Sequence, residues 1–126
     1  MLHDMPEIIT RYLRIASAAD AADADRIVAC FTGDAEVLDE DATHHGHDAI
    51  RRWWEGPATA FDYTVELRGS RDLDDGRHVV FSRLRGTFLG GVADLANRFS
   101  LRDGLITRLE IVPVPPAESV DGSDAI

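Results

Sequence analysis

An α+β fold is predicted by three observations. Apolar residues recur at helical spacing in three segments between residues 6 and 55. After Gly56-Pro57 the period drops to two. Turn dipeptides then divide the second half into strands that return antiparallel. Helices gathered on one side of a long curved sheet leave room for a pocket between the two layers.

The first helix is expected over residues 6–19. Pro6 suits a first helical turn, Asp4 stands near it as a cap, and Ile8, Ile9, Tyr12, Leu13, Ile15 and Ala16 form one broad apolar face. The Ala-Asp run 18–25 makes a turn, and Asp23 or Asp25 caps a second helix through Arg26, Ile27, Val28, Cys30 and Phe31. Thr32-Gly33-Asp34 ends it, Ala35 to Leu38 is a short strand, and a polar loop carries the chain to Gly46. The third helix runs from Gly46 to Glu55, with Ala49, Ile50, Trp53 and Trp54 on its apolar face.

Residues 61–71 then read as a strand, Asp74-Asp75-Gly76 as a turn, and 78–88 as a second long strand. In that strand Val80, Ser82, Leu84 and Gly86 share one face, and Val79, Phe81, Arg83 and Arg85 share the other. Gly90-Gly91 turns the chain into a strand over 92–102. Asp103-Gly104 is a hairpin signal, and 105–112 is the last strand. One domain over residues 1–112 is expected. Residues 113–126, opened by Pro113, Pro115 and Pro116, read as a mobile acidic tail.

Composition narrows the function. The chain has 126 residues, 44% hydrophobic, enough for one genuine core. A net charge of −10 argues against nucleic acid and anionic membrane as partners, since both require basic patches. All 13 basic residues are arginine, so Schiff-base catalysis and a phosphate-loop lysine are excluded. Cys30 is the only cysteine, which rules out an intrachain disulfide and a cysteine-rich zinc site; its apolar surroundings suggest a buried, inert thiol. The first 20 residues carry Asp4, Glu7, Arg11 and Arg14, so neither a signal peptide nor a membrane span is expected, and the protein reads as cytoplasmic.

The chemistry concentrates between Asp34 and Trp54. Asp39 stands where the short strand ends, ahead of the apolar mass of Trp53-Trp54. A carboxylate at the lip of an apolar cavity can act as a general base, because desolvation raises its pKa toward working pH. The alternative is that Asp39, Glu40 and Asp41 form a solvated acidic loop. His44, His45 and His47 with Asp48 invite a metal reading, but a site needs three or four converging ligands and a supporting shell. Only the loop cluster is visible, so no metal is expected; an acid–base role for His44 or His45 at a pocket rim is a stronger reading than a metal site, and a solvated loop with Asp48 in the first turn of the third helix is a stronger reading than either. Phe61, Phe81, Phe88 and Phe99 are core or cavity lining. Arg83 and Arg85 are expected on the outer sheet face.

Three stretches carry a resemblance to a known family. They are Arg11-Tyr12-Leu13, Cys30 through Asp39 leading into His45-Gly46-His47-Asp48-Ala49-Ile50, and Asn97 through Ile106. Over roughly residues 5–112 the chain resembles the nuclear-transport-factor-2-like superfamily, with its SnoaL-like cyclases and ketosteroid isomerases. The resemblance implies a cone in which a curved, mostly antiparallel sheet packs on three N-terminal helices. It also implies a homodimer paired through the sheet, and no cofactor. Asp39 matches the carboxylate that shuttles a proton beside a carbonyl in the isomerases, and Tyr12 the phenol that donates to the developing enolate oxygen.

The chain departs from the isomerases where their second oxyanion acid would fall, near Leu95-Ala96. Asp94 has the wrong strand parity, whereas Asn97 shares parity with Leu95 and Phe99 and is the expected auxiliary amide donor. Phe31 replaces a supporting tyrosine, and Trp54 stands at another such position, where its indole N–H is an expected donor. The expected function is cofactor-independent acid–base catalysis of the isomerase, cyclase or dehydratase type on a small hydrophobic carbonyl compound. Asp39 and Tyr12 would be catalytic, with Asn97, Trp54, Phe31, His44, Phe61, Phe81 and Phe99 around the substrate. A non-catalytic ligand-binding or dimerisation module is the alternative.

Overall fold

The computed structural model describes residues 5–114. Three helices, α1 (Glu7–Ala16), α2 (Ala24–Val28) and α3 (Gly46–Glu55), pack on six strands. These are β1 (Phe31–Asp39), β2 (Ala42–His45), β3 (Tyr63–Asp72), β4 (His78–Gly86), β5 (Val92–Arg102) and β6 (Leu105–Pro113). Short 3-10 turns precede α2 and follow α3. The strands form one curved open sheet in the order β2-β1-β6-β5-β4-β3. Every neighbouring pair is antiparallel except β1 with β6.

The first helix is shorter than its apolar pattern suggests. Pro6 is its N-terminal cap residue, in an extended conformation, and makes no side-chain cap; Asp4, the expected cap, lies outside the described residues. The last turn closes where Ser17 bonds back to Leu13 O through both its amide (2.9 Å) and its hydroxyl (2.7 Å).

The second helix does not reach Phe31. It stops at Val28, and Phe31 already belongs to β1, pairing with Ile106 of β6. The register of β1 against β6 shifts between Phe31 and Glu36. Within that irregularity Asp34 accepts from Thr32 Oγ1 (2.9 Å) and from the guanidinium of Arg102 on β5. Thr32-Gly33-Asp34 therefore lies inside a strand and does not end a helix.

The polar loop before α3 is instead a hairpin. Asp39 pairs with Ala42, and Glu40 and Asp41 make the two-residue connection with φ of 53° and 64°. Two successive positive φ values are those of a type I′ turn, which matches the twist of paired strands. At the other end β6 extends one residue beyond the expected boundary, to Pro113, and Val114 N donates to Asp94 O (2.9 Å). The rest of the expected tail, residues 115–126, lies outside the described residues.

The pleat assigns the faces. On β1, Ala35 and Val37 are fully buried and point with Asp39 toward the helices. Lateral pairing continues that inner row from Asp39 through Ile111 and Asn97 to Val80. The next row runs Pro113, Leu95, Ser82 and Leu67. The helices close over the β1 side: Ile9, Ile27, Ile50, Phe31, Phe99 and Leu109 form a core with no exposed surface beyond 1%. The outer face is polar, with Arg83 bridging Asp94 across β4 and β5 and Arg98 facing Glu110 across β5 and β6.

Candidate active site

Where the core ends, the sheet and the helices leave a cavity of about 360 Å³. Tyr12, Leu13, Trp53 and Trp54 line it from the helices, Asp39 and Ile111 from one side of the sheet, and Leu95, Asn97 and Ser82 from the other. Most of the wall is apolar, and the polar atoms it carries decide what it can do.

Tyr12 is held by its ring. The ring meets Phe31 and Phe99 edge to face, each at a centroid distance of 5.8 Å. Such contacts add about 0.5–1.5 kcal/mol each beyond simple burial. The residue is 4% exposed, and its hydroxyl bonds to no described residue. Burial pushes the phenol pKa well above its ordinary value, and the nearby Tyr63 and Asp39 add to the shift. It therefore remains a protonated donor throughout the neutral range.

Asp39 is half-buried at the end of β1. Its Oδ2 accepts from the indole Nε1 of Trp53 at 3.0 Å, and no described residue donates to Oδ1. One oxygen is thus anchored and the other is open. Tyr63 is a further cavity residue that inspection of the sequence missed. Its hydroxyl donates to Ala58 O (2.7 Å), and burial, followed by the Asp39 charge, raises its pKa. Its position in an exposed-looking alternating strand offered no signal. Trp53 escaped as the partner of Asp39 because a contact 14 residues away across a hairpin has no sequence signature.

Among the other expected site residues, Trp54 and Asn97 line the cavity, but neither donates into it. Trp54 Nε1 donates to Asp20 O at 2.8 Å. Asn97 Nδ2 donates to Val80 O (2.9 Å) and Ser82 Oγ (3.1 Å). Val80 O can only accept, which fixes the amide nitrogen on that side. Phe61 lines the cavity at its rim, 51% exposed, edge to face with Phe88 at 6.2 Å.

Four expectations need correction. Phe31 and Phe99 stand behind Tyr12 in the core and contact its ring, outside the cavity lining. Phe81 projects from the outer face under Arg71, whose guanidinium carbon lies 5.6 Å from the ring centre, because strand alternation opposes it to Ser82. His44 also lies outside the lining; its ring tilts against Trp53 at 6.2 Å. His47 Nε2 is 3.0 Å from Phe31 O and donates to it, tying α3 to β1. Among the described residues no group of three or more histidine, cysteine, aspartate or glutamate side chains is placed to hold a metal ion.

The comparisons agree with this architecture. The SnoaL-like domain family matches residues 9–109, and the chain belongs to that family. No curated protein matches its sequence. Among solved structures, a candidate polyketide cyclase from Sinorhizobium meliloti is 36% identical, with a TM-score of 0.77 over 86% of this chain and 96% of that one. A nuclear-transport-factor-2-like protein from an Exiguobacterium species is 22% identical, with a TM-score of 0.72 over 85% and 98%. A protein of ketosteroid-isomerase-like fold from Catenulispora acidiphila, in complex with trimethylamine, is 19% identical, with a TM-score of 0.69 over 86% and 85%. The last two establish likeness of fold alone. Among the described residues no helix is long and apolar enough to cross a membrane.

Proposed function

We propose that this protein is a cofactor-independent acid–base enzyme acting on a small hydrophobic carbonyl compound. One observation carries the reading: among the described residues, an open carboxylate oxygen on Asp39 and an unpartnered phenol on Tyr12 line the same apolar cavity. Asp39 Oδ1 takes a proton from the carbon beside the carbonyl. The electron pair moves into the carbonyl group, and the Tyr12 O–H donates a hydrogen bond to the enolate oxygen as it gains charge. The same carboxyl then returns the proton at that carbon or at one conjugated with it. The overall outcome depends on the substrate: isomerisation, ring closure or loss of a leaving group. Trp53 keeps the carboxylate oriented without occupying the reactive oxygen. Relatedness to a candidate polyketide cyclase favours this class of substrate.

The test is hydrogen exchange. In heavy water, the methyl protons of acetylnaphthalene, a flat apolar ketone small enough for the cavity, are followed by NMR. We expect exchange above the buffer rate with the wild type, lost by about 100-fold or more in Asp39→Asn while the ketone still raises the melting temperature. Exchange at the buffer rate with the ketone bound would instead support a non-catalytic ligand-binding module.

The same reading includes a homodimer through the outer face of the sheet. Arg83 with Asp94, Arg98 with Glu110 and Arg85 with Glu66 are paired within the chain, so a second copy could cover this face without stripping water from isolated charges.

A further inference from the structure

Ser82 has no place in the mechanism above, yet it is a polar side chain only 5% exposed on a mostly apolar wall. Its partner is Asn97, 7% exposed. Both hydrogens of the Asn97 amide are committed, one to Val80 O and one to Ser82 Oγ. Two consequences follow from the donor inventory. Ser82 Oγ, already accepting, retains its own hydrogen, and it donates to no described residue. Asn97 Oδ1 retains its acceptor capacity, and no described residue donates to it. The pair therefore presents one donor and one acceptor side by side, both on cavity-lining residues.

Its placement is set by the sheet. Asn97 shares the inner row with Asp39, two strands away across Ile111. At a strand spacing of about 4.8 Å, that separates the two residues by roughly 10 Å along the sheet. Ser82 lies one strand further, on β4. Ile111 and Leu95 provide the apolar wall near and between these positions.

We propose that Ser82 and Asn97 form a second polar subsite, which selects apolar carbonyl compounds carrying another oxygen, a hydroxyl above all, at the end remote from the reacting carbonyl. A hydroxyl accepts from Ser82 and donates to Asn97 Oδ1, and so satisfies both open positions at once. Ser82 is the specificity-determining contact. Asn97 is both a contact and the residue that positions Ser82. The proposal rests on the cavity being the substrate pocket, but it does not require that Asp39 perform catalysis.

Two probes differing by one group test it: acetylnaphthalene, and the acetylnaphthol whose hydroxyl lies on the far ring. Calorimetric titration of each gives a ratio of affinities. We expect the wild type to bind the naphthol roughly tenfold more tightly or better, as two hydrogen bonds in a buried site imply. Ser82→Ala should reduce that ratio at least threefold with acetylnaphthalene affinity little changed. Ser82→Thr, which keeps the hydroxyl, should hold the ratio near the wild-type value. Asp39→Asn should leave the ratio intact, which separates this subsite from the catalytic reading. Equal affinity of the wild type for the two probes, or a preference that survives Ser82→Ala unchanged, overturns the subsite alone. Binding of neither probe overturns the pocket, and the subsite with it.

Discussion

At the scale of single residues, the site depends on what each polar atom is already doing. Tyr12 and Tyr63 are both phenols in the cavity wall, but Tyr63 donates to Ala58 O while the Tyr12 hydroxyl has no partner among the described residues. That difference leaves Tyr12 as the phenol the proposed mechanism can use as its oxyanion donor. Tyr12→Phe should lower kcat/KM on a turned-over ketone by about 100- to 1000-fold, the usual cost of removing one oxyanion donor. The melting temperature should move little, since the ring contacts with Phe31 and Phe99 remain and no hydrogen bond to a described residue is lost. The raised pKa also carries a pH prediction. Below the ordinary tyrosine value the phenol is protonated in folded and unfolded chains alike, so it adds no pH dependence there. Above that value the unfolded chain ionises first, and stability declines as pH rises. Rate measurements from neutral pH to about 9.5 should therefore show no limb that disappears in Tyr12→Phe; the appearance of such a limb would mean the phenol ionises early and is not buried as described.

The shared cavity of Asp39 and Tyr12 was legible in the sequence, because the resemblance placed both residue types at its wall; their catalytic roles belong to the proposed function. The donor roles expected of Trp54 and Asn97 were not legible in the same way. Whether an indole or amide N–H is free depends on carbonyls supplied by Asp20 and Val80, 34 and 17 residues away in the chain. Strand parity did anticipate the orientation of Asn97 correctly, along with the outward direction of Asp94, which pairs with Arg83. It also implied that Phe81 faces away from Ser82, and the structure places Phe81 on that outer face.

At the scale of elements, the β1–β2 hairpin does the positioning. It ends β1 at Asp39 and returns the chain so that α3 can bring Trp53 against the carboxylate. The connection is made by Glu40 and Asp41, both at positive φ, where side chains with a Cβ are disfavoured. A glutamate-aspartate pair lacks the asparagine-glycine signature of such turns, so the segment reads as a loop; Asp103-Gly104, with φ of 55° and 80°, has that signature and was recognised. Asp41→Gly should relieve the strain and stabilise the protein by about 0.5–1 kcal/mol, read as a higher urea midpoint at constant slope. A lower midpoint would mean that the aspartate side chain contributes more than its backbone conformation costs.

At the scale of the whole molecule, the sheet has two unlike faces. Its inner face is divided between a solid core under α1 and α2 and the cavity toward β4 and β5. Its outer face carries cross-strand ion pairs. The dimer proposal belongs to this scale. Light scattering coupled to size exclusion should give twice the chain mass of 13.9 kDa. Phe81→Glu, which places a charge on the outer face without touching the cavity, should shift the protein toward monomer while leaving ketone binding unchanged. A monomeric wild type at micromolar concentration, or a dimer unaffected by this substitution, would remove the outer face as the interface.

Local chemistry determined much of this protein. Period and turn residues specify helices, then strands, and the pleat specifies which side chains share a face, because these depend on neighbours a few positions apart. The length of β1, the hairpin after it and the parallel pairing of β1 with β6 were decided only in three dimensions. Each depends on hydrogen bonds to backbone that arrives more than 60 residues later or on a turn whose strain the surrounding pairs tolerate. The same holds for the cavity. That Phe31 and Phe99 fill the core behind Tyr12, and that Ser82 accepts from Asn97 while donating to no described residue, are outcomes of packing among distant strands, which no spacing in the chain encodes.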